Sequence, residues 1–389
     1  MTQKRKRNSD PPPRPTSHEI DTSKPTAIFQ PSKGRKYTLS LALPGSIIAN
    51  AQSHELKTFL AGQIARALAV FCVDEIVLFE DGPPVAKAWN SAASNGMFNS
   101  QPLDNSPKPS DSTYLLMHIL SYLETPPHLR RSLFLPHPDL AKAGILPSLD
   151  MPHHLRAHEW CQYREGVTLG AETNGTMPQT EDHHEKKKKK KKRKTSEEET
   201  STTASPTTLV SAGLPVPVTI PASIPANTRV TLKFSSRQAP TDLQSVSQAA
   251  EAVSPSDPRE EAGYYWGYSI RPAPSLSTVL TECPFEGGYD LTFGTSERGV
   301  PLTSITSALT SSIPEFNHLL LVFGGVAGLE AAVKADSELV EMGVKEPEKL
   351  FDYWVNLVEG QGSRTIRTEE AVWLGLMGLR EVVRSKGVA

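Results

Sequence analysis

Residues Tyr37 to Phe79 read YTLSLALPGSIIANAQSHELKTFLAGQIARALAVFCVDEIVLF, and this stretch decides the fold. Tyr37 to Leu43 is a β-type run stopped by Pro44-Gly45. Ser53 is a good helix N-cap, with Glu55 in the first turn of the helix it would cap. Leu56, Leu60, Ile64, Ala67 and Phe71 then recur at helical spacing on one face, and Val73 to Phe79 is a second apolar run closed by the acidic turn Glu80-Asp81-Gly82. Strand, helix and strand in that order predict a crossover between two parallel strands, hence an α/β sheet.

The same alternation returns near the C-terminus. Tyr264–Ile270, Tyr289–Phe293, Leu319–Phe323 and Phe351–Val358 are strand candidates, and helices are expected over Leu329–Leu339 and Glu369–Val383. Val372, Leu376, Leu379 and Val383 stripe the second helix, with Thr368 as its cap and Glu369 and Glu370 in its first turn. An earlier helix is expected from Asp111 to Leu123, ending at Pro126-Pro127. Between the two α/β halves the character changes to short β-type runs, Gly166–Leu169, Val216–Ile220 and Arg229–Phe234, broken by polar stretches. The chain therefore divides into a disordered basic arm, 1–35; an α/β domain built from 36–127 plus 263–389; and an inserted β domain, 128–262, with a disordered Lys-rich loop at 171–212. The small, polar 82–110 stretch is expected to be a mobile loop.

With 389 residues the chain can bury more than one core. Its 41 basic and 43 acidic residues nearly cancel, but they are segregated. Residues 1–36 hold nine Lys/Arg against three Asp/Glu, and Lys186 to Lys194 are nine basic residues in a row; outside these segments 23 basic residues face 40 acidic ones. Basic arms on an acidic body point to nuclear import or to a polyanion partner, or to a merely solvated charge block. The odd set Cys72, Cys161 and Cys283, with no CxxC, argues against a disulfide framework and for a reducing compartment. No apolar run approaches the length of a membrane span, so no membrane association is expected.

Three loops carry the chemistry: Gly294-Thr-Ser-Glu-Arg-Gly299, Gly324-Gly-Val-Ala-Gly328 and Gly360-Gln-Gly-Ser-Arg-Thr-Ile-Arg-Thr368. In an open α/β sheet ligands bind beyond the carboxyl ends of the strands, where glycines let bare backbone approach them; three such loops imply one shared pocket. A single glycine turn would mean little. The loops lack the G-x-G-x-x-G and G-x-x-x-x-G-K-[ST] spacings, which removes support for dinucleotide and triphosphate binding. There is no G-x-S-x-G or H-E-x-x-H, and His153, His154 and His158 read as a solvated loop, so no metal is expected.

Six blocks together resemble the eukaryotic and archaeal SPOUT-domain RNA methyltransferases of the centromere protein 32 family. They are Leu41–Phe79, PHHLRAHEWCQYREGV (Pro152–Val167), YYWGYSIR (Tyr264–Arg271), YDLTFGTSERG (Tyr289–Gly299), LVFGGVAGLE (Leu321–Glu330) and GQGSRTIRTEEA (Gly360–Ala371). The resemblance covers 36–385 apart from the polar inserts. It implies a mainly parallel sheet whose C-terminal segment threads a loop to form a trefoil knot, a homodimer joined through the knot region, and an OB-like inserted domain that binds RNA. It also implies S-adenosylmethionine held by Arg298, by Gly324, Gly325 and Gly328, and by Asn356, Gln361, Gly362, Ile366 and Thr368.

Methyl transfer from a sulfonium depends mostly on positioning, and an acceptor nitrogen or hydroxyl must also lose a proton. Arg298, Arg364 and Arg367 are candidates to position or polarise the acceptor, with Glu297 as a base or as an orienter of arginine. Ile366 and Leu329 are candidate walls for adenine, or simple core. RNA contacts are expected from Arg130, Arg131, Arg367, Lys186, Lys190 and Lys194, and stacking from Trp160, Tyr163, Tyr264, Tyr265 and Trp266, unless these aromatics pack the interior. The expected activity is a nuclear, and there nucleolar, S-adenosylmethionine-dependent methyltransferase acting on large-subunit ribosomal RNA at uridine N3 or a ribose 2′-OH. The competing readings are a non-catalytic RNA-binding or mitotic (kinetochore or centrosome) scaffold with a vestigial pocket and, far behind, a glycine-loop nucleotide hydrolase.

Overall fold

A computed structural model describes residues 31, 33–82, 109–171, 207–240, 250–309 and 313–388. The expectations for the N-terminal arm, for nearly all of 82–110 and for the Lys186–Lys194 run lie outside these residues. β1 (Thr38–Pro44), α1 (His54–Val70) and β2 (Glu75–Phe79) follow the opening reading, with Ser53 Oγ accepting from the Leu56 N–H at 3.2 Å as the N-cap. β1 and β2 pair in parallel, Leu41 opposite Ile76. One expected member of the α1 stripe is displaced. Leu60, Ile64 and Ala67 are buried but Leu56, in the first turn, is exposed.

Next come α2 (Asp111–Glu124) and α3 (Pro127–Leu133), then a five-stranded antiparallel sheet made of β3 (Tyr163–Ala171), β4 (Thr208–Ser211), β5 (Val218–Ile220), β6 (Arg229–Phe234) and β7 (Ala250–Val253), in the order β5-β4-β3-β6-β7. β4 and β7 come from stretches read as polar linkers. In β4 the buried face is Thr208 and Val210, and the Thr208 hydroxyl is made compatible with burial by donating to the Ala222 carbonyl at 2.6 Å and accepting from the Ile224 N–H at 3.1 Å.

The chain returns through α4 (Asp257–Ala262) to β8 (Ser269–Ala273), α5 (Leu276–Thr281), β9 (Leu291–Pro301), α6 (Leu302–Leu309), β10 (His318–Val322), α7 (Gly328–Ala335), α8 (Ser337–Glu341), β11 (Tyr353–Asn356) and α9 (Thr368–Lys386). With β1 and β2 these strands make a six-stranded, wholly parallel sheet in the order β11-β9-β10-β1-β2-β8. Helices cover both faces. Leu39, Leu41, Leu43, Leu319 and Leu321 pack with α1, α2 and α9, while Ala42, Val77, Leu320 and Val322 pack with α5, α7 and α8. This period-2 split is the burial expected of a parallel sheet.

Four local expectations need correction. Tyr264 to Tyr268 is not strand: Tyr265, Trp266 and Tyr268 are buried, with the Tyr265 hydroxyl on the Val73 carbonyl at 2.9 Å and the Tyr268 hydroxyl on the Leu120 carbonyl at 3.1 Å. The helix over 329–339 is two helices, divided where the Asp336 carboxylate accepts from the Glu338 and Leu339 N–H groups and caps α8. The N-cap of α9 is Arg367, not Thr368; the Arg367 N–H donates to Glu370 Oε2 at 3.0 Å. His153 and His154 are buried rather than solvated, whereas His158 is exposed.

Those buried histidines belong to an ionic cluster where the end of α2 meets the antiparallel sheet. Arg229 on β6 grips Glu124, the last residue of α2, at 2.5 and 3.0 Å, and reaches Glu165 on β3 at 2.6 Å. Glu165 also accepts from Thr231 Oγ1 at 2.6 Å and Trp266 Nε1 at 2.7 Å, and His153 Nε2 lies 2.9 Å from Glu124 Oε1. Burial alone would push the Glu124 carboxyl up; Arg229 and His153 override it and hold it well below the usual carboxylate range.

Candidate active site at the strand ends

The Gly294–Gly299 segment is not a loop after a strand, as the sequence suggested, but an excursion inside β9. Pairing with β11 runs Trp354 to Gly294 and then jumps, Val355 to Val300, so Thr295 to Gly299 leave the ladder. Glycine is required at both ends for packing. A Cβ on Gly294 would stand 2.4 Å from the Phe351 ring, and one on Gly299 would stand 2.4 Å from the Val355 backbone carbon. The excursion leaves Glu297 and Arg298 exposed.

Contacts tie this excursion to the other two loops. Asn356 Nδ2, at the end of β11, donates to the Glu297 carbonyl at 3.0 Å, while Asn356 Oδ1 accepts from the Val358 N–H at 3.1 Å. Arg298 Nη1 donates to Glu330 Oε1 on α7 at 3.3 Å, so its ion-pair partner is Glu330 and not the neighbouring Glu297. Thr368 Oγ1 lies 3.5 Å from the Gly324 carbonyl, a long contact that joins the third loop to the second. All three sequence-derived loops thus meet at the carboxyl ends of adjacent strands.

Within the second loop Gly328 has φ +73°, and a Cβ on Gly324 would stand 2.6 Å from the Gly328 carbonyl carbon, so these glycines serve the turn itself. Gly325 is different. Its neighbours are Asp81 Oδ2 at 2.7 Å, Ser46 Oγ at 3.3 Å and Pro44 Cγ at 3.4 Å from an added Cβ, all at the ends of β1 and β2. In the third loop Gly360 has φ +70°, while Gly362 faces open space and has no left-handed φ, so nothing in the fold demands glycine there.

The remaining residues divide. Gln361 Nε2 bonds only locally, to the Ser363 carbonyl at 3.0 Å; Ile366 is half-buried; Arg364 is exposed; and Arg367 is exposed and pairs with Glu369 at 2.6 Å. Leu329 is fully buried with Ala332 and Val333 and is core, not an adenine wall. Of the expected RNA contacts, Arg131 is exposed, but Arg130 spends Nε on the Thr125 carbonyl at 2.9 Å and Nη2 on the Leu123 carbonyl at 3.0 Å, closing the end of α2. Trp160, Tyr163, Tyr265 and Trp266 are buried and cannot stack bases; only Tyr264 keeps partial exposure. Lys186, Lys190 and Lys194 lie outside the described residues.

Two features escaped the sequence reading. Asp81 and Ser46, hydrogen-bonded at 2.7 Å, form a wall beside the second loop; only the sheet order, which sets β10, β1 and β2 side by side, brings them there. His118 and His137 both place Nδ1 3.1 Å from Asp139 Oδ2, the one metal-compatible cluster among the described residues, and the carboxylate already serves both rings. A groove of about 810 Å3 lies elsewhere, on the antiparallel sheet, lined by residues including Gln162, Thr219, Lys233 and Glu251. It carries no glycine-loop residue and mixes one cation with one anion.

A parallel α/β sheet with glycine loops converging beyond its strand ends is the architecture of a nucleotide- or nucleoside-binding enzyme. Residues 38–379 match the family described as Putative RNA methyltransferase, and the chain belongs to it. It is 42% identical over 349 residues to the 28S rRNA (uridine-N(3))-methyltransferase of Mus musculus, covering 90% of this chain and 77% of the mouse protein. The Homo sapiens protein of the same name is 42% identical over 354 residues, 91% of this chain and 81% of its own length. The Drosophila melanogaster one is 39% identical over 352 residues, 88% and 62%.

Proposed function

We propose that this protein transfers a methyl group from S-adenosylmethionine to N3 of a uridine in large-subunit ribosomal RNA. The observation that carries the reading is the meeting of the three glycine loops through Asn356 and Glu297, Arg298 and Glu330, and Thr368 and Gly324, in a chain of the RNA methyltransferase family. The substrate and the atom are those named for the mouse, human and fly relatives. Against a ribose 2′-OH stands only that likeness.

The open backbone at Gly362 fits a ligand that must approach closely, and Gly324, Gly325, Gly328, Asn356, Gln361, Ile366 and Thr368 would complete its cradle. When bound there, S-adenosylmethionine supplies an electrophilic methyl on a sulfonium. The protein's part is positioning. Asn356 fixes the first loop against the third, and Glu330 holds the Arg298 guanidinium at the rim, where it can bind the RNA phosphate or orient the base. Glu297, Arg364 and Arg367 are exposed around the same rim. The intact loops weigh against a non-catalytic scaffold with a vestigial pocket.

The SPOUT trefoil knot is part of this proposal. β11 lies at one edge of the sheet, yet α9 packs beneath β10, with Gly375 against the Phe323 and Leu321 side chains, so the chain crosses back over the strand ends between them. Homodimerisation through that region is supported by Leu374 and Met377, three residues apart and exposed on α9, and by exposed Leu56 and Phe59 on α1. The antiparallel sheet is proposed as an OB-like RNA-binding domain within 128–262, set into the α/β domain of 36–127 plus 263–389. Nuclear and nucleolar placement is supported by the basic runs of the sequence.

The test is to map methylated positions in total RNA from cells with the protein, without it, and with Gly325→Trp in its place. Loss of one N3-methyluridine in large-subunit rRNA in the last two is expected. An unchanged methylation map would end the proposal.

A further inference from the structure

Methylating uridine at N3 poses a specific problem. The neutral N3 is an imide nitrogen whose lone pair is delocalised into two flanking carbonyls, so it becomes a nucleophile only as its proton leaves. The rim residues Arg298, Arg364 and Arg367 are cations and take up no proton. Among the acids near the loops, Glu330 holds Arg298 and Glu80 Oε1 accepts from the Ser110 N–H at 2.7 Å, where it fastens the start of α2. Glu297 is exposed, and nothing hydrogen-bonds its carboxylate to the loops among the described residues.

Asp81 is placed differently. It lies just beyond the end of β2, and β2 lies next to β1, which lies next to β10, so the ends of these strands are side by side. Ser46 Oγ donates to Asp81 Oδ2 at 2.7 Å, and that same oxygen stands 2.7 Å from where a Gly325 Cβ would be. The carboxylate is thus pressed against the bare backbone of the second glycine loop. Ser46 fixes its orientation through Oδ2. The side chain is half-buried. Burial raises its proton affinity, the Ser46 hydroxyl and a backbone N–H lower it, and Glu80 raises it again, for a net upward displacement; Glu80 is the one charged neighbour acting on it among the described residues. A carboxylate tuned upward while keeping a fixed orientation has the properties of a general base.

We propose that Asp81, oriented by Ser46, is the catalytic base that removes the N3 proton of the target uridine. The assignment rests on the uridine-N3 reading above. In the step the N3–H bond breaks and the proton passes to the Asp81 carboxylate. The N3 electron pair forms the new bond to the methyl carbon, and the S–CH3 pair stays on sulfur, which becomes a neutral thioether. The proton leaves Asp81 to solvent after the product departs. Ser46 is a positioning residue: it acts through Asp81 and not on the substrate.

The experiment is single-turnover methylation of large-subunit rRNA across pH by wild type, Asp81→Asn and Ser46→Ala. S-adenosylhomocysteine and RNA affinities are measured in parallel. The expected result is a wild-type rate that rises with pH to a plateau, and an Asp81→Asn rate lower by roughly 100- to 10,000-fold that keeps rising with pH because hydroxide must replace the base. Both affinities of Asp81→Asn stay within about threefold of wild type, as befits removal of a proton acceptor. Ser46→Ala loses less and shifts the rising limb. An Asp81→Asn enzyme with wild-type rate and pH profile overturns the assignment, as does one whose rate falls only in step with lost S-adenosylhomocysteine binding. A wild type that binds S-adenosylhomocysteine yet modifies no uridine N3 overturns the functional reading itself, a distinct outcome.

Discussion

The side-chain amide of Asn356 donates to the backbone carbonyl of Glu297 across 3.0 Å, joining the end of β11 to a segment that has left the sheet. The excursion from Thr295 to Gly299 has no ladder partners on β11, so this bond restrains it together with Thr295 Oγ1 on the Val322 carbonyl at 3.1 Å and Arg298 on Glu330. Asn356→Ala should weaken S-adenosylhomocysteine binding by roughly three- to tenfold, the value of about one hydrogen bond, with little change in thermal stability. Calorimetry with a melting curve checks both. An unaltered affinity would mean that the excursion is held by other means.

Gly362 offers a test of the opposite kind. Nothing stands within 4 Å of a Cβ there, and its backbone is not left-handed. Gly362→Val should therefore fold normally, with a melting temperature within about 2 °C of wild type, since surface changes away from special features are worth within about 0.5 kcal/mol. Its cofactor affinity should nonetheless fall at least tenfold if the backbone of the third loop faces the ligand. Equilibrium binding separates this from a glycine that is merely part of a turn.

The Glu124–Arg229 pair joins the end of α2 to β6 of the antiparallel sheet, and breaking it leaves a buried charge without its partner. Arg229→Ala should cost about 3–5 kcal/mol of stability in denaturant unfolding. Acid should reveal the same cluster. Glu124 is held below its ordinary value, so its contribution is complete above the unfolded carboxylate range near pH ~4.3 and is lost as the pH falls below it. His154, which burial and His153 hold well below the ordinary imidazole value, stays neutral when folded; the unfolded chain binds that proton near pH ~6.5, so stability begins to fall from there downward. Unfolding midpoints measured from about pH 7.5 to about pH 2 should decline in these two steps, and His154→Asn should reduce the upper one, to which His128 and His318, also held below the ordinary imidazole value chiefly by burial, contribute.

The exposed pair Leu374 and Met377 bears on assembly. Leu374→Glu together with Met377→Glu should convert a dimer to a monomer in light scattering without unfolding the chain. A wild-type mass equal to one chain would remove dimerisation from the proposal.

Much of this was legible in the sequence because it depends on local signals. Ser53 caps α1, period-2 apolar runs mark β1, β2 and β10, and glycine clusters mark the strand ends. The features hidden from the sequence depend on long-range packing. Thr208 looks like linker until the Ala222 carbonyl is found beside it, and Tyr265 and Tyr268 look like strand until their hydroxyls meet backbone carbonyls of α1–β2 and α2. Asp81 reads as a turn acid; only the sheet order places it against Gly325, about 240 positions away in the chain, a separation at which spacing carries no information. Arg130 likewise reads as a basic surface residue, and the structure uses it to close a helix.

The most direct measurement is a calorimetric titration of the full-length protein with S-adenosylhomocysteine. Saturable binding of one molecule per chain, abolished by Gly325→Trp, is the result expected of loops that converge on a methyl donor. No heat with either S-adenosylhomocysteine or S-adenosylmethionine, from a chain that is folded by circular dichroism, would contradict it.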